Sequence, residues 1–203
     1  MAGFGAIFDV GQTVVNLLND RRKLLGTVVN LPETFLINNV SIGQFSKDAN
    51  PPTESMTLAC YRVLPSSHHR PQTPTRGTQR PSRLSIDLHF LLTVWAKDLA
   101  IEQTMLAWAM FELHRHPVFD QSLLNGGAGI WDRDEIIHFV PEPITHEAMF
   151  RIWDSFMLKY RLSATYCARV IQITAGIEPD HLPVVRTKFG HADAGTPELE
   201  DAL

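Results

Sequence analysis

The run Arg83 to Ala96, RLSIDLHFLLTVWA, constrains this chain more than any other feature. Leu84, Ile86, Leu88, Phe90, Leu92 and Val94 alternate onto one side, and Arg83, Ser85, Asp87, His89, Leu91, Thr93 and Trp95 onto the other. A period of two over so many residues is a β-strand. The second side turns apolar only toward Trp95, so that half of the strand is expected to be covered on both faces. Asp98 follows as a helix N-cap, and Leu99 to His116 reads as a helix ended by Pro117. Its apolar stripe, Leu99, Leu106, Ala109, Met110 and Leu113, is widened by Ile101, Met105 and Trp108, which predicts deep burial.

Around this strand–helix unit the remaining elements are shorter. Ile7, Phe8, Val14, Val15 and Leu18 recur at helical spacing with Gly11, and Arg21 to Lys23 with Gly26 mark an expected C-terminus. Phe35 to Ile42 and Met56 to Leu64 read as strands, as do Glu135 to Val140 and Thr165 to Thr174. Thr145 caps a third helix running to about Phe156, with Met149, Ile152, Trp153 and Phe156 on one side. The predicted order is α-β-β-β-α-β-α-β followed by a tail. This is an α/β (α+β) domain with a single mixed sheet and helices packed on it. The expected domain spans 1–175, with an acidic tail over 176–203.

Two segments stand apart by charge. From Ser55 to Ile86 there is no acidic residue, but Arg62, Arg70, Arg76, Arg80 and Arg83 are present. Prolines at 65, 71, 74 and 81 exclude regular structure, so 65–82 is read as a long basic loop. Residues 176–203 carry six acids against Arg186 and Lys188, with one apolar patch at Leu182 to Val185 plus Phe189. The loop is open to three readings: a solvated insertion, a phosphate-contacting element, or a docking element complementary to the acidic tail. Tyr61 is the only aromatic between Ser55 and Phe90, which argues against base stacking. The net charge of −4 gives no global reason to expect nucleic acid.

The search for chemistry finds no champion. His114 and His116 are two apart on a helix and diverge, so they read as helix-end residues rather than ligands of one ion. His68-His69 has no cysteine near it, and Asn125 to Gly129 follows a helix and matches no phosphate-loop pattern. Asp132, Asp134 and Glu135 read as solvated surface. Cys60 and Cys167 read as core thiols, with no disulfide framework and no CxxC site. No catalytic residue, cofactor or metal is assigned. The first residues lack the basic start and long apolar core of a signal peptide, and the longest apolar run, Met105 to Phe111, falls far short of the ~20 residues that span a bilayer. Synthesis in the cytoplasm is expected, with no membrane partner.

The succession RLSIDLHFLLTVWA, LHRHPVF, EIIHFVPEPITHEAMFRIWDSF and LSATYCARVIQI resembles the cap, or tail-terminator, proteins of extracellular contractile injection systems. These are phage-tail-like particles of the antifeeding-prophage and virulence-cassette type. The features that carry it are Thr93-Val94-Trp95-Ala96, Arg115-His116-Pro117-Val118, the Trp153 helix and Ser163-Ala164-Thr165-Tyr166. Together they cover roughly residues 4 to 174. The resemblance implies a homohexameric ring on the distal end of inner tube and contractile sheath, ending their polymerisation and coupling one to the other. It also implies no catalytic residues, assembly in the bacterial cytoplasm, and partners that are the tube protein, the sheath protein and other copies. Arg70, Arg76 and Arg80, with Leu182, Val184, Val185 and Phe189, are the expected contact residues. Sheath arms are expected to add as strands to an exposed sheet edge. A baseplate or adaptor module of the same particle, or a nucleic-acid-associated protein using the basic loop, are the alternative readings.

Overall fold

In the computed structural model, which describes residues 3–29, 35–45, 54–67, 83–124, 131 and 135–174, six strands form one sheet in the order β1-β2-β3-β6-β5-β4. They are β1 (Leu36–Val40), β2 (Ser55–Pro65), β3 (Arg83–Trp95), β4 (Val118–Phe119), β5 (Ile137–Pro141) and β6 (Ser163–Thr174). β1 runs parallel to β2 and every other pairing is antiparallel, so the sheet is mixed as expected. β3 is central, with β2 on one side and β6 on the other, which is why its sequence carries the longest uninterrupted pattern. The two-residue β4 escapes the sequence reading because two residues have no period; it pairs Val118 and Phe119 with His138 and Ile137. The segment expected to begin a loop at Pro65 is still sheet there, and Ser66 N–H continues the pairing to the Ser85 carbonyl (2.8 Å). Register shifts between Cys60 and Arg62 in β2, and opposite Ile86 and Leu88 of β3, where β6 carries the extra residue between Ala168 and Ile171, add local twist halfway down the sheet.

The alternation of β3 sorts two cores. Ile86, Leu88, Phe90, Leu92 and Val94 lie in a large cluster under α1 (Ala6–Val29) and α2 (Leu99–Arg115). Leu84 belongs to the same alternation but is 54% exposed near the strand's start, beyond that cover. On the opposite face, Leu91 and Trp95 join Ala59, Phe45, Trp153 and Phe156 beneath α3 (His146–Ser155). The expectation that only the last half of β3 is buried on both sides therefore holds.

α1 does not stop at the predicted cap but continues through Gly26 to Val29. Glycine inside a helix costs about 1 kcal/mol without ending it, and no proline intervenes before Pro32. Val10, Val14, Val15, Leu17 and Leu18 face the sheet, while Phe8, expected in that stripe, is 64% exposed. Gly11 is required by a close approach: a Cβ there would stand 2.8 Å from the Asn39 side-chain amide on β1. α2 is capped by Asp98, whose carboxylate accepts from the Ala100 and Ile101 N–H groups (2.8 and 3.1 Å). Met105, Leu106, Trp108, Ala109 and Leu113 are buried, but Leu99 (65%) and Met110 (41%), both predicted for the buried stripe, face outward. A helix with apolar residues on several sides does not say which side meets the sheet, and the capping geometry cannot supply it. The two helices are tied by Arg21 Nε and the buried Glu112 carboxylate at 2.8 Å.

Candidate functional site

Arg70, Arg76, Arg80, Leu182, Val184, Val185 and Phe189 all lie outside the described residues. Their points of attachment do not. Pro65 pairs with Ile86, and Arg83 pairs with Thr174, so β2, β3 and β6 meet at one end of the sheet. The basic 68–82 segment and the acidic segment after residue 174 are thus rooted beside each other.

The titratable groups that the fold gathers lie on the α3 side of the sheet. Glu142, just after β5, donates its N–H to the Thr165 carbonyl (2.9 Å), and its own carbonyl accepts the Thr165 hydroxyl (2.5 Å). Its carboxylate oxygen stands 2.5 Å from His89 Nδ1 and accepts from the Tyr61 hydroxyl at 3.5 Å. Burial, then the nearby Glu142 charge, pushes the Tyr61 phenol up to about 12. Burial likewise raises the Cys60 and Cys167 thiols, which disfavours the thiolate a nucleophile needs. Both cysteines are free thiols. His89 is buried, and its Nε2 has no hydrogen-bond partner among the described residues. The group holds the β5–α3 connection against β2, β3 and β6 through four contacts; it anchors a chain turn. Sequence reasoning missed it because His89 and Glu142 are 53 residues apart.

His116 behaves as read for a helix-end residue: its Nδ1 lies 2.9 Å from the Glu112 carbonyl, and its N–H bonds the same turn. Among the described residues no group of three histidine, cysteine or acidic side chains could hold a metal ion, and no helix is long and apolar enough to cross a membrane.

What the described surface does offer is apolar. The outer arc of α2, containing Leu99, Met110 and Phe111, is open to solvent, with the Arg115 guanidinium 5.8 Å from the Phe111 ring. On the other face the Phe150 and Tyr160 rings lie tilted to each other at 5.4 Å, and Met157 is 76% exposed. Met157 has φ 56°, a left-handed conformation at the end of α3 that normally falls to glycine. The sheet edges are less open than expected. β4 is two residues long and follows Pro117, and on β1 the Ile37 carbonyl already accepts from Asn19 Nδ2 (3.0 Å). Strand addition would have to work around both devices.

A mixed sheet with helices on both faces, and exposed apolar patches on both, defines an α+β domain with much of its apolar surface still to cover. The sequence matches the Pvc16 N-terminal domain family over residues 9–187, and the chain belongs to that family. The match runs past the last strand into the acidic segment. Two solved structures are similar. One is the sheath/tube terminator of an extracellular contractile injection system, PVC, in its extended state, at 16% identity and a TM-score of 0.49, covering 93% of this chain and 65% of that one. The other is the tube-terminating cap of the anti-feeding prophage, at 15% identity and a TM-score of 0.41, covering 66% of this chain and 48% of that one. The chain thus spans about two thirds and about half of the lengths of these two proteins. No curated protein matches the sequence.

Proposed function

We propose that this chain is a structural cap of a contractile injection particle: a ring of six copies seated on the distal end of inner tube and sheath, ending the polymerisation of both and coupling the sheath to the tube. The observation that carries the reading is membership of the Pvc16 N-terminal domain family over residues 9–187, joined to the motif succession from Arg83 onward. Its content is the role described for the PVC terminator and the anti-feeding prophage cap, brought to this chain here. Assembly takes place in the bacterial cytoplasm, and the partners are tube protein, sheath protein and further copies. No catalytic residue or cofactor takes part. The raised thiols, and the use of Glu142 as a chain anchor, fit a protein that works through its surfaces. Arg70, Arg76 and Arg80, with Leu182, Val184, Val185 and Phe189, belong to the contact segments, and their adjacent roots at Pro65, Arg83 and Thr174 favour their acting together.

The test is the particle. Cells making the tube, sheath and baseplate without this chain should yield tubes and sheaths of irregular length with open distal ends, as seen by electron microscopy. Particles of unchanged length and unchanged ends overturn the reading, as does a tag on this chain that labels the baseplate end.

A further inference from the structure

The apolar face that α1 and α2 cover does not end where they do. Directly paired residues share a face, so register places Val63 and Pro65 of β2, Leu84 and Ile86 of β3, and Ile171 and Ile173 of β6 on it at the far end of the sheet. None of the six carries a charge. Ile86, Ile171 and Ile173 are buried, but Leu84 is 54% and Val63 44% exposed, and Pro65 is exposed between them. The core thus runs on past its cover along the seam between β2 and β3.

Two segments are rooted at this end. Residues 66–82 join β2 to β3, and they contain no leucine, isoleucine, valine, methionine, phenylalanine, tyrosine or tryptophan. The segment after β6 does hold an apolar run, Leu-Pro-Val-Val at 182–185. Leu84 pairs with Ile173 and Arg83 with Thr174, so this segment leaves the sheet beside Leu84. The intervening residues 175–181 reach up to about 24 Å and include Gly176 and Pro179, which suit a reversal. The family match gives an independent bearing. It continues beyond β6, takes in 182–185 and stops at 187, short of Asp193 and every acid after it.

We infer that residues 182–185 lie extended across the β2–β3 seam of their own chain, with Leu182 and Val184 seated on Val63, Pro65 and Leu84. The folded unit then closes near residue 187 instead of at β6. Four extended residues span about 13 Å, and so do the four steps of β3 from Leu88, opposite Val63, to Leu84. Alternation turns Val185 outward, where it and Phe189 stay available for the contacts proposed above. The acids beyond 187 leave the domain from a fixed point. The seat is made within one chain and does not depend on the cap reading.

Thermolysin, which cuts before large apolar residues, tests the seat in the full-length chain. Within 182–185 it should cut at least about tenfold more slowly than in a free peptide of residues 176–203, with the cut before Phe189 equally fast in both. Mass spectrometry assigns the sites. The protection should be the same at about 1 µM and about 50 µM chain. Leu84→Asp, and separately Val63→Asp, should abolish it. Leu99→Asp, at a comparably exposed leucine on α2, should leave it intact, and circular dichroism checks that each variant keeps its fold. Wild type cut as fast as the peptide overturns the inference, as does protection that survives both seam variants. Protection that rises with concentration assigns the seat to a second copy and overturns it too. None of these outcomes bears on particle length, so the cap reading stands or falls by its own test.

Discussion

On the α1/α2 side of the sheet, burial is continuous: residues from all six strands and both helices form one cluster that includes Val14, Ile37, Leu58, Phe90, Phe139 and Ile171. On the α3 side, burial is confined to one end, where the rings of Phe45, Trp95, Trp153 and Phe156 pack against one another, mostly tilted or edge-on. The rest of that face is held by polar contacts around Glu142. The first arrangement derives its strength from area, at roughly 25 cal/mol per Å² of apolar surface removed from water. The second depends on a few large rings and one short helix, which can open without dragging the whole sheet with it.

That difference can be broken by substitution. Phe90→Ala should cost about 4 kcal/mol, and every probe of unfolding should report the same loss. Trp153→Ala removes a larger side chain, yet α3 should undock locally at a global cost of about 2 kcal/mol, with early loss of hydrogen-exchange protection in 146–155. Equal, fully cooperative losses would erase the distinction. Glu112→Ala strands Arg21 at the α1–α2 contact and should cost about 2–3 kcal/mol in denaturant melts. The double change Arg21→Met with Glu112→Leu should recover most of that loss. Glu142→Ala, on the α3 side, should cost about 1–2 kcal/mol, since its partners keep some access to water.

The smallest effect is alkaline. Tyr61 and Tyr166 are both raised from 10 to about 12, so the stability that depends on their neutral phenols is whole below pH 10 and is lost as pH rises through 12. Burial alone raises Tyr166, on the large-core side, whereas Glu142 adds to burial at Tyr61. Phenolate absorbance of Glu142→Gln should therefore show one tyrosine ionising earlier, with Tyr166 unmoved. If both move, or neither does, the polar side is not isolated from the core as described.

Much of the fold was legible because the central strand is long and each helix is punctuated. β3 announced itself by alternation, and Asp98 and Thr145 marked starts that the structure keeps. The failures share a cause. Phe8, Leu99 and Met110 sit on helices with apolar residues on several sides, where local sequence does not say which side meets the sheet. β4 and the overrun of α1 depend on tertiary neighbours instead of local pattern. The expected contact residues were chosen for charge in the loop and for an apolar patch in the tail, and they fall outside the described residues. The exposed α2 arc was not in view, since Leu99 and Met110 were expected in the buried stripe. Nor was the exposed Met157, because its positive φ has no sequence signature in a residue other than glycine.

The Asn19 side chain on the Ile37 carbonyl and the two-residue length of β4 also bear on timing. A sheet with open borders invites any passing extended chain, and copies accumulating in a crowded cell would clump before their destination existed. Here both borders are narrowed by features of the single chain. Free copies can therefore be stored at some concentration without pairing edge to edge. Asn19→Ala should shorten that shelf life, seen as faster thioflavin-positive aggregation at unchanged melting temperature.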